Sequence, residues 1–242
     1  MQSQSVSNKS NESGFSMIEV VVVMSVILIM TAASLFYMNN QGRLFKTDDE
    51  ALQIVDVLQE ARQRSLTQRE TMRVEIDLTS KMARLIDENE VTSASDDVLL
   101  KEVNLYPSTE VRLNARPSNI NHSPPEVLAS ATADFRMSVH PFSATNNVCT
   151  YRFLNTGRVV NAGENATGNN AQLKSETLFI WSPSKNNPNE FEVARAITVV
   201  GTTGAIRLWE YSPNSNESNK WQDSRRVSSY GGQSQGNTNS LY

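Results

Sequence analysis

The polarity pattern of the chain changes period twice. Residues 1–13 are polar and rich in Ser and Asn. Such a composition cannot bury enough apolar surface to order itself. From Phe15 to Met38 the chain is dominated by Val, Ile, Leu and Met, without Pro or Gly, and Glu19 is its one charged residue. A helix rises 1.5 Å per residue, so about 20 apolar residues cross a hydrocarbon core of about 30 Å. The run reads as a membrane-spanning helix over 15–38. Asn39, Asn40, Gln41 and Gly42 mark its exit from the apolar phase and either interrupt the helix or merely polarise it.

A second helical pattern fills 39–70. Thr47 with Glu50 three residues later is a capping-box signature. Ala51, Ile54, Val55, Leu58 and Ala61 recur at helical spacing, with Leu66 beyond them. Asp56, Gln59, Glu60, Arg62, Gln63 and Arg64 occupy the other face, so the apolar stripe is expected to pack on a sheet, and the helix to end near Gln68.

After Thr71 the period becomes two. Val74, Ile76 and Leu78 alternate with Arg73, Glu75 and Asp77, the pattern of a half-buried strand. Thr79 and Ser80 turn the chain, and residues 82–86 return as a hairpin partner. Further strands are predicted at 98–105, 111–113, 135–139, 150–160 with a bend at Asn155, Thr156 and Gly157, and 178–181. A final hairpin spans 194–200 and 206–211. Residues 114–133, with Pro124 and Pro125, read as a long loop, and 161–173 as a polar one. From Ser212 the chain is rich in Asn, Ser and Gly and is expected to be a flexible polar tail. One helical region followed by strands predicts an α+β fold, with a long hydrophobic helix and an amphipathic helix packed on a mainly antiparallel sheet.

Composition adds bounds. The 242 residues carry a net charge of −4, so nothing global favours nucleic acid. Cys149 is the only cysteine; it can form no intrachain disulfide and reads as a small buried hydrophobe. The acidic stretch 87–97 has oxygen ligands but lacks the ordered Asp-x-Asp-x-Asp-Gly pattern, so it reads as a solvated loop, not a metal site. No nucleophile elbow, His-Glu-x-x-His or phosphate loop is present, and His122 and His140 sit beside prolines. Nothing predicts a catalytic residue, a metal or a cofactor, and the chain is expected not to be an enzyme.

Glu19 carries the functional argument. A charge within a spanning helix costs about 2.5–3.5 kcal/mol at the centre and less near the end, so it needs a partner. The usual secretory leader places small residues after its apolar run; here the small residue, Gly14, precedes it. Gly14, Phe15, Ser16, Met17, Ile18 and Glu19, followed by the apolar run, resemble the processing motif of type IV prepilins and pseudopilins. That resemblance implies cleavage by a prepilin peptidase after Gly14 and N-methylation of Phe15. It also implies that Glu19 pairs with the Phe15 amine of a neighbouring subunit, a cation that makes a buried carboxylate tolerable. The chain then divides into a leader, 1–14; an assembly helix, 15–38; an amphipathic helix, 39–70; a β-rich pilin domain, 71–212; and a tail, 213–242. It departs from the family in two places. The leader carries only Lys9 and Glu12, so it is not net basic, and Phe36 stands where many family helices have Pro.

Later segments resemble the GspH/FimT branch. Tyr151, Phe153, Gly157 and Arg158 match an aromatic-x-Phe-x-x-x-Gly-Arg strand, and residues 195–207 match a final hairpin with a Gly-containing turn. The implied fold is type IV pilin-like. The implied partners are the peptidase, other pilin or pseudopilin subunits, an inner-membrane assembly platform and, before assembly, membrane lipid. The expected location is the bacterial inner membrane, single-pass, with a periplasmic domain that joins a filament of a type II secretion or type IV pilus system. Some members bind DNA through a Gly-Arg-x-Arg motif. Here Gly204, Ala205, Ile206 and Arg207 keep one of its two arginines. Arg207, Arg225 and Arg226, with Trp221 and Tyr230 for stacking, are the candidates for nucleic-acid contact. The competing readings are a DNA-capturing minor pilin and a simple membrane-anchored envelope protein.

Overall fold

The computed structural model describes residues 16–88, 95–126, 135–136, 147–164, 168–184, 186–215 and 219–224. Its first element is one helix, α1, Met17–Gln68. Residues 39–42 are helical, so of the two outcomes left open for them the structure shows the polarised one. Extending an existing helix adds one hydrogen bond per residue, whereas a new helix must nucleate. Thr47 is therefore an interior residue and not an N-cap: it is fully buried within α1. Helix α1 ends where Arg69 takes a left-handed φ of 62°.

The chain comprises two units, Met1–Gly42 and Arg43–Tyr242. In the first, Met17–Leu35 is long and apolar enough to cross a membrane, with mean hydropathy 2.4 and its residues exposed.

The second unit contains the remainder of α1 and two antiparallel sheets. The strands are β1 Thr71–Asp77, β2 Met82–Glu88, β3 Val98–Asn104, β4 Glu110–Leu113, β5 Phe135–Arg136, β6 Val148–Phe153, β7 Val159–Val160, β8 Glu176–Pro183, β9 Phe191–Val200, β10 Ala205–Tyr211 and β11 Trp221–Asp223. The first sheet has the order β3-β2-β1-β6-β5, with β7 also on β6; the second has the order β11-β10-β9-β8-β4. The α+β architecture of helix on antiparallel sheet is thus present. The core lies between α1 and both sheets. Ala51, Ile54, Val55, Leu58 and Ala61 meet Met72, Val74, Ile76, Tyr151 and Phe153 of the first sheet and Leu178, Ile180, Ile197 and Val199 of the second.

Three features differ from the periodicity reading. First, β1 is buried on both faces: Arg73 and Glu75 are as inaccessible as Val74 and Ile76. Second, residues 114–126 do not simply loop out. Ile120 is buried against Phe179, Trp181 and Trp209 on the far face of the second sheet, and Ser118 N–H donates to Asn189 O at 2.8 Å. Third, the polar tail is not uniformly flexible. Trp221–Asp223 pairs with β10, and Trp221 is only 2% exposed. One large aromatic within an Asn/Ser-rich run suffices to dock it, because a Trp side chain buries 150–250 Å². Of the predicted strand at 135–139, residues 137–139 lie outside the described residues, as do residues 89–94 of the acidic stretch.

Candidate functional site

The N-terminal candidates begin at the edge of the described structure. Gly14 and Phe15 lie outside the described residues. Ser16 is the N-cap of α1, and Glu19 Oε2 accepts the Ser16 backbone N–H at 2.9 Å. Ser16 Oγ in turn lies 3.4 Å from the Ile18 N–H. Ser16, Met17, Ile18 and Glu19 therefore form a capping-box arrangement, S-x-x-E. The acid also sits in the first turn, where the helix dipole favours a negative charge. The capping-box spacing is thus used at Ser16 and Glu19, and not at Thr47 and Glu50 inside α1. Beyond the cap, Val20, Val23, Met24 and Ile27 line a shallow apolar groove next to Glu19.

The two late segments singled out in the sequence meet in space. Tyr151 and Phe153 of β6 enter the core. The turn that follows is closed by Leu154 N–H donating to Arg158 O and Gly157 N–H donating to Leu154 O, at 2.9 and 2.8 Å. The β9–β10 turn lies against it. Gly204 has φ 61°, and a Cβ there would stand 2.3 Å from Gly157 O and 3.2 Å from Arg62 Nε. Only glycine fits such an approach without displacing backbone. Arg62 of α1 completes the junction by donating to Thr203 O at 3.3 Å. The two motifs thus form one packing joint against the end of α1.

A polar cluster lies below that joint. Lys174 Nζ is 3.3 Å from Cys149 Sγ, 3.5 Å from Glu176 and 4.6 Å from the centre of the Tyr151 ring. Cys149 is fully buried within the apolar core, as expected, and Lys174 also reaches its sulfur. Burial pushes the Cys149 thiol up and the Tyr151 phenol well up, so both stay protonated and unreactive at neutral pH.

Of the basic candidates, Arg207 lies among the described residues and is paired. Arg207 Nη1 is bound at 2.5 Å by Glu126 Oε1, and Glu126 Oε2 also accepts from Thr198 Oγ1 at 3.0 Å. Arg225, Arg226 and Tyr230 lie outside the described residues. Trp221, expected as a stacking platform, is spent inside the protein. Its Nε1–H donates to His122 O at 2.8 Å, and its ring packs edge-on against Phe179 and Tyr211 at 5.8 and 5.1 Å. Among the described residues no group of three or more His, Cys, Asp or Glu is placed to hold a metal ion.

Sequence reading missed a large charged assembly among the described residues. Arg73 Nη1 contacts Glu88 Oε1 at 2.7 Å and Asp97 Oδ2 at 3.0 Å, and its Nε meets Glu75 at 3.1 Å. Arg152, directly opposite Arg73 in the β1–β6 ladder, clasps the same Glu88 through Nε and Nη2. Glu50 is a further buried acid, accepting the Tyr106 N–H at 2.9 Å and the Thr109 hydroxyl. Burial raises its pKa, against the pull of those donors.

Comparison with known proteins agrees with the motif. Residues 9–35 match the family described as the prokaryotic N-terminal methylation motif. No curated protein matches the chain. A solved structure, the minor pseudopilin EpsH from the Type 2 Secretion System of Vibrio cholerae, aligns over 70% of this chain and 99% of its own, with 12% identity and a TM-score of 0.40. The chain thus carries a prokaryotic N-terminal methylation motif, placed at the start of a bare apolar helix.

Proposed function

We propose that this chain is a structural subunit, a minor pilin or pseudopilin of a type IV-like filament, and not an enzyme. The observation that carries the proposal is the methylation motif over 9–35, coincident with the exposed apolar helix Met17–Leu35. A helix without cover on any side needs lipid or other helices around it. Before assembly the span would hold the chain in the inner membrane with its β-rich unit in the periplasm. Prepilin peptidase would cut after Gly14 and methylate Phe15. The new amine would then lie beside a carboxylate already turned toward the helix start. Glu19 Oε2 caps Ser16, and a carboxylate has a second oxygen to offer a cation, here the Phe15 amine of a neighbouring subunit. The joint made by Gly157 and Gly204 supports assignment to the GspH/FimT branch, because it gives both of that branch's late motifs one mechanical role.

The DNA-capturing alternative gains no support, since Arg207 is neutralised by Glu126 and Trp221 is buried. Intact mass spectrometry of the protein from its host tests the proposal. The expected chain begins at N-methylated Phe15. A chain retaining residues 1–14 would overturn the filament reading and leave a membrane-anchored β-rich protein.

A further inference from the structure

Residues 105–109 carry the chain from one sheet to the other. They follow β3, the end strand of the first sheet, and lead into β4, the end strand of the second. Leu105 sinks into the core, and the rest of the crossing is tied to α1 through two neighbouring acids. Glu50 Oε2 accepts the Tyr106 N–H at 2.9 Å and the Thr109 hydroxyl. Asp49 Oδ2 accepts the Tyr106 hydroxyl at 2.6 Å. Lys81, in the turn between β1 and β2, donates to Thr109 O at 3.3 Å, and Lys46 Nζ stands 5.6 Å from the centre of the Tyr106 ring.

The two acids differ in their surroundings. Asp49 is exposed, so water solvates its charge. Glu50 is inaccessible. Its Oε2 takes both donors, while its Oε1 is buried without a hydrogen-bond partner among the described residues. The Thr47 hydroxyl, three residues back on the same buried face of α1, is likewise without one. Behind the first sheet, Glu75, Glu88 and Asp97 each meet a guanidinium within 3.1 Å. Among the described residues, no ion pair of that kind includes Glu50. A buried carboxylate without a paired cation is costly, and such a group takes up a proton instead. The groups facing it do not reverse that balance. Burial raises the Glu50 pKa above its ordinary 4.5; Thr109, the Tyr106 N–H and Lys81 pull it down less strongly, and Asp49 pushes it up. A proton on Oε1 would find an acceptor one helical turn away, in Thr47 Oγ1.

We propose that Glu50 is a proton-operated catch on the crossing between the two sheets. With its proton, the acid stays beneath residues 105–109. Ionised, it is drawn toward water, and the crossing lifts from α1 and loosens β3 and β4 together. The sign follows from linkage. A carboxyl whose pKa is raised in the closed form supports that form fully below its ordinary pKa, and the support is lost as pH rises through the raised value. The catch is therefore firmest in acid. It stands independently of the filament reading.

Two signals from the full chain in detergent micelles test it, followed from about pH 4 to about pH 9. One is the carboxyl carbon shift of Glu50. The other is hydrogen exchange of the Tyr106 amide, corrected for the intrinsic pH dependence of exchange. The Glu50 carboxyl is expected to titrate above 4.5. Tyr106 protection should fall by up to about tenfold per pH unit between the ordinary and the raised pKa, and then level off. Ile197, inside the second sheet, should stay protected throughout. Glu50→Gln cannot ionise and keeps an oxygen for both donors, so it should hold Tyr106 protected at every pH. Tyr106 protection that does not follow the Glu50 titration overturns the catch. A parallel loss at Ile197 would be global unfolding, and overturns it too. So does a Glu50→Gln protein that is folded yet exchanges Tyr106 fast at every pH, because the ionised carboxylate would then be what holds the crossing. If that variant does not fold, the wild-type titration decides the matter alone.

Discussion

The two sheets each bury a face turned away from α1, and they do so by opposite means. Behind the first sheet lie Arg73, Glu75, Glu88, Asp97 and Arg152, joined by ion pairs of 2.5–3.1 Å with the side chains nearly inaccessible. Gly168 presses on that cluster from outside: a Cβ there would fall 1.2 Å from Arg152 Nη1. Behind the second sheet lie Phe179, Trp181, Trp209 and Trp221, covered by Ile120. Aromatic burial is non-directional and proportional to the area removed from water. A buried ion network is directional, and desolvation consumes most of what its attractions supply. The first face is thus specified mainly by geometry and the second mainly by area. Point substitutions should be most damaging where geometry rules, although the net stabilisation there is smaller.

The strongest test removes the hub of the charged face. Glu88→Ala leaves Arg152 without the carboxylate that clasps it and Arg73 without one of its acids. Breaking a buried pair from one side typically costs about 3–5 kcal/mol. Chemical denaturation of the full chain in detergent should show a loss of that size. Replacing Arg152 by Met together with Glu88 by Leu should cost much less, because the clasped pair is removed together and Arg73 keeps Glu75 and Asp97. A double variant as unstable as Glu88→Ala would mean that the face depends on net attraction, and the contrast between the sheets would collapse.

The aromatic face should lose less from one change. Trp221→Ala removes two edge-on ring contacts and leaves His122 O without its donor. A Trp-to-Ala change in a well-packed core costs about 3–5 kcal/mol. A three-residue strand can relax, so a value near about 3 is expected. The same denaturation experiment reads it, with hydrogen exchange at Tyr211 showing whether β11 detaches. A cost well above that of Glu88→Ala would reverse the ranking of the two faces.

How much of this was legible in the sequence follows the same division. Period-two stretches found most strands, and the helical stripe from Ala51 to Ala61 found the helix face that meets them, because both signals are local. The charged face was not legible. Arg73, Glu75 and Asp77 alternate with Val74 and Ile76 as a solvent face would, and Arg152 lies 79 residues beyond Arg73 along the chain. Alternation reports which residues share a face, not whether another segment covers that face. β11 was missed for the converse reason: Trp221 is a single signal in a polar run, and its partners Phe179 and Tyr211 come from other strands. At the N-terminus the processing motif is legible, and so is the S-x-x-E spacing of Ser16 and Glu19, whose cap the structure shows.

The smallest and most discriminating effect is one of pH. Burial raises the Asp97 pKa above its ordinary 3.8, outweighing the opposing pull of Arg73. In the folded chain this carboxyl therefore takes up a proton at a higher pH than it does unfolded. Its contribution to stability is complete below the unfolded value and is lost as pH rises through the folded one, with a slope of at most about 1.4 kcal/mol per pH unit. Asp97→Asn cannot titrate. The cost of that substitution should accordingly be greater near pH 3 than near pH 7, measured as the difference in unfolding free energy from wild type. Trp221→Phe, on the uncharged face, should cost the same at both ends. If Asp97→Asn instead costs most near pH 7, Arg73 holds the carboxylate ionised more strongly than burial opposes it. The first face would then be stabilised by attraction after all.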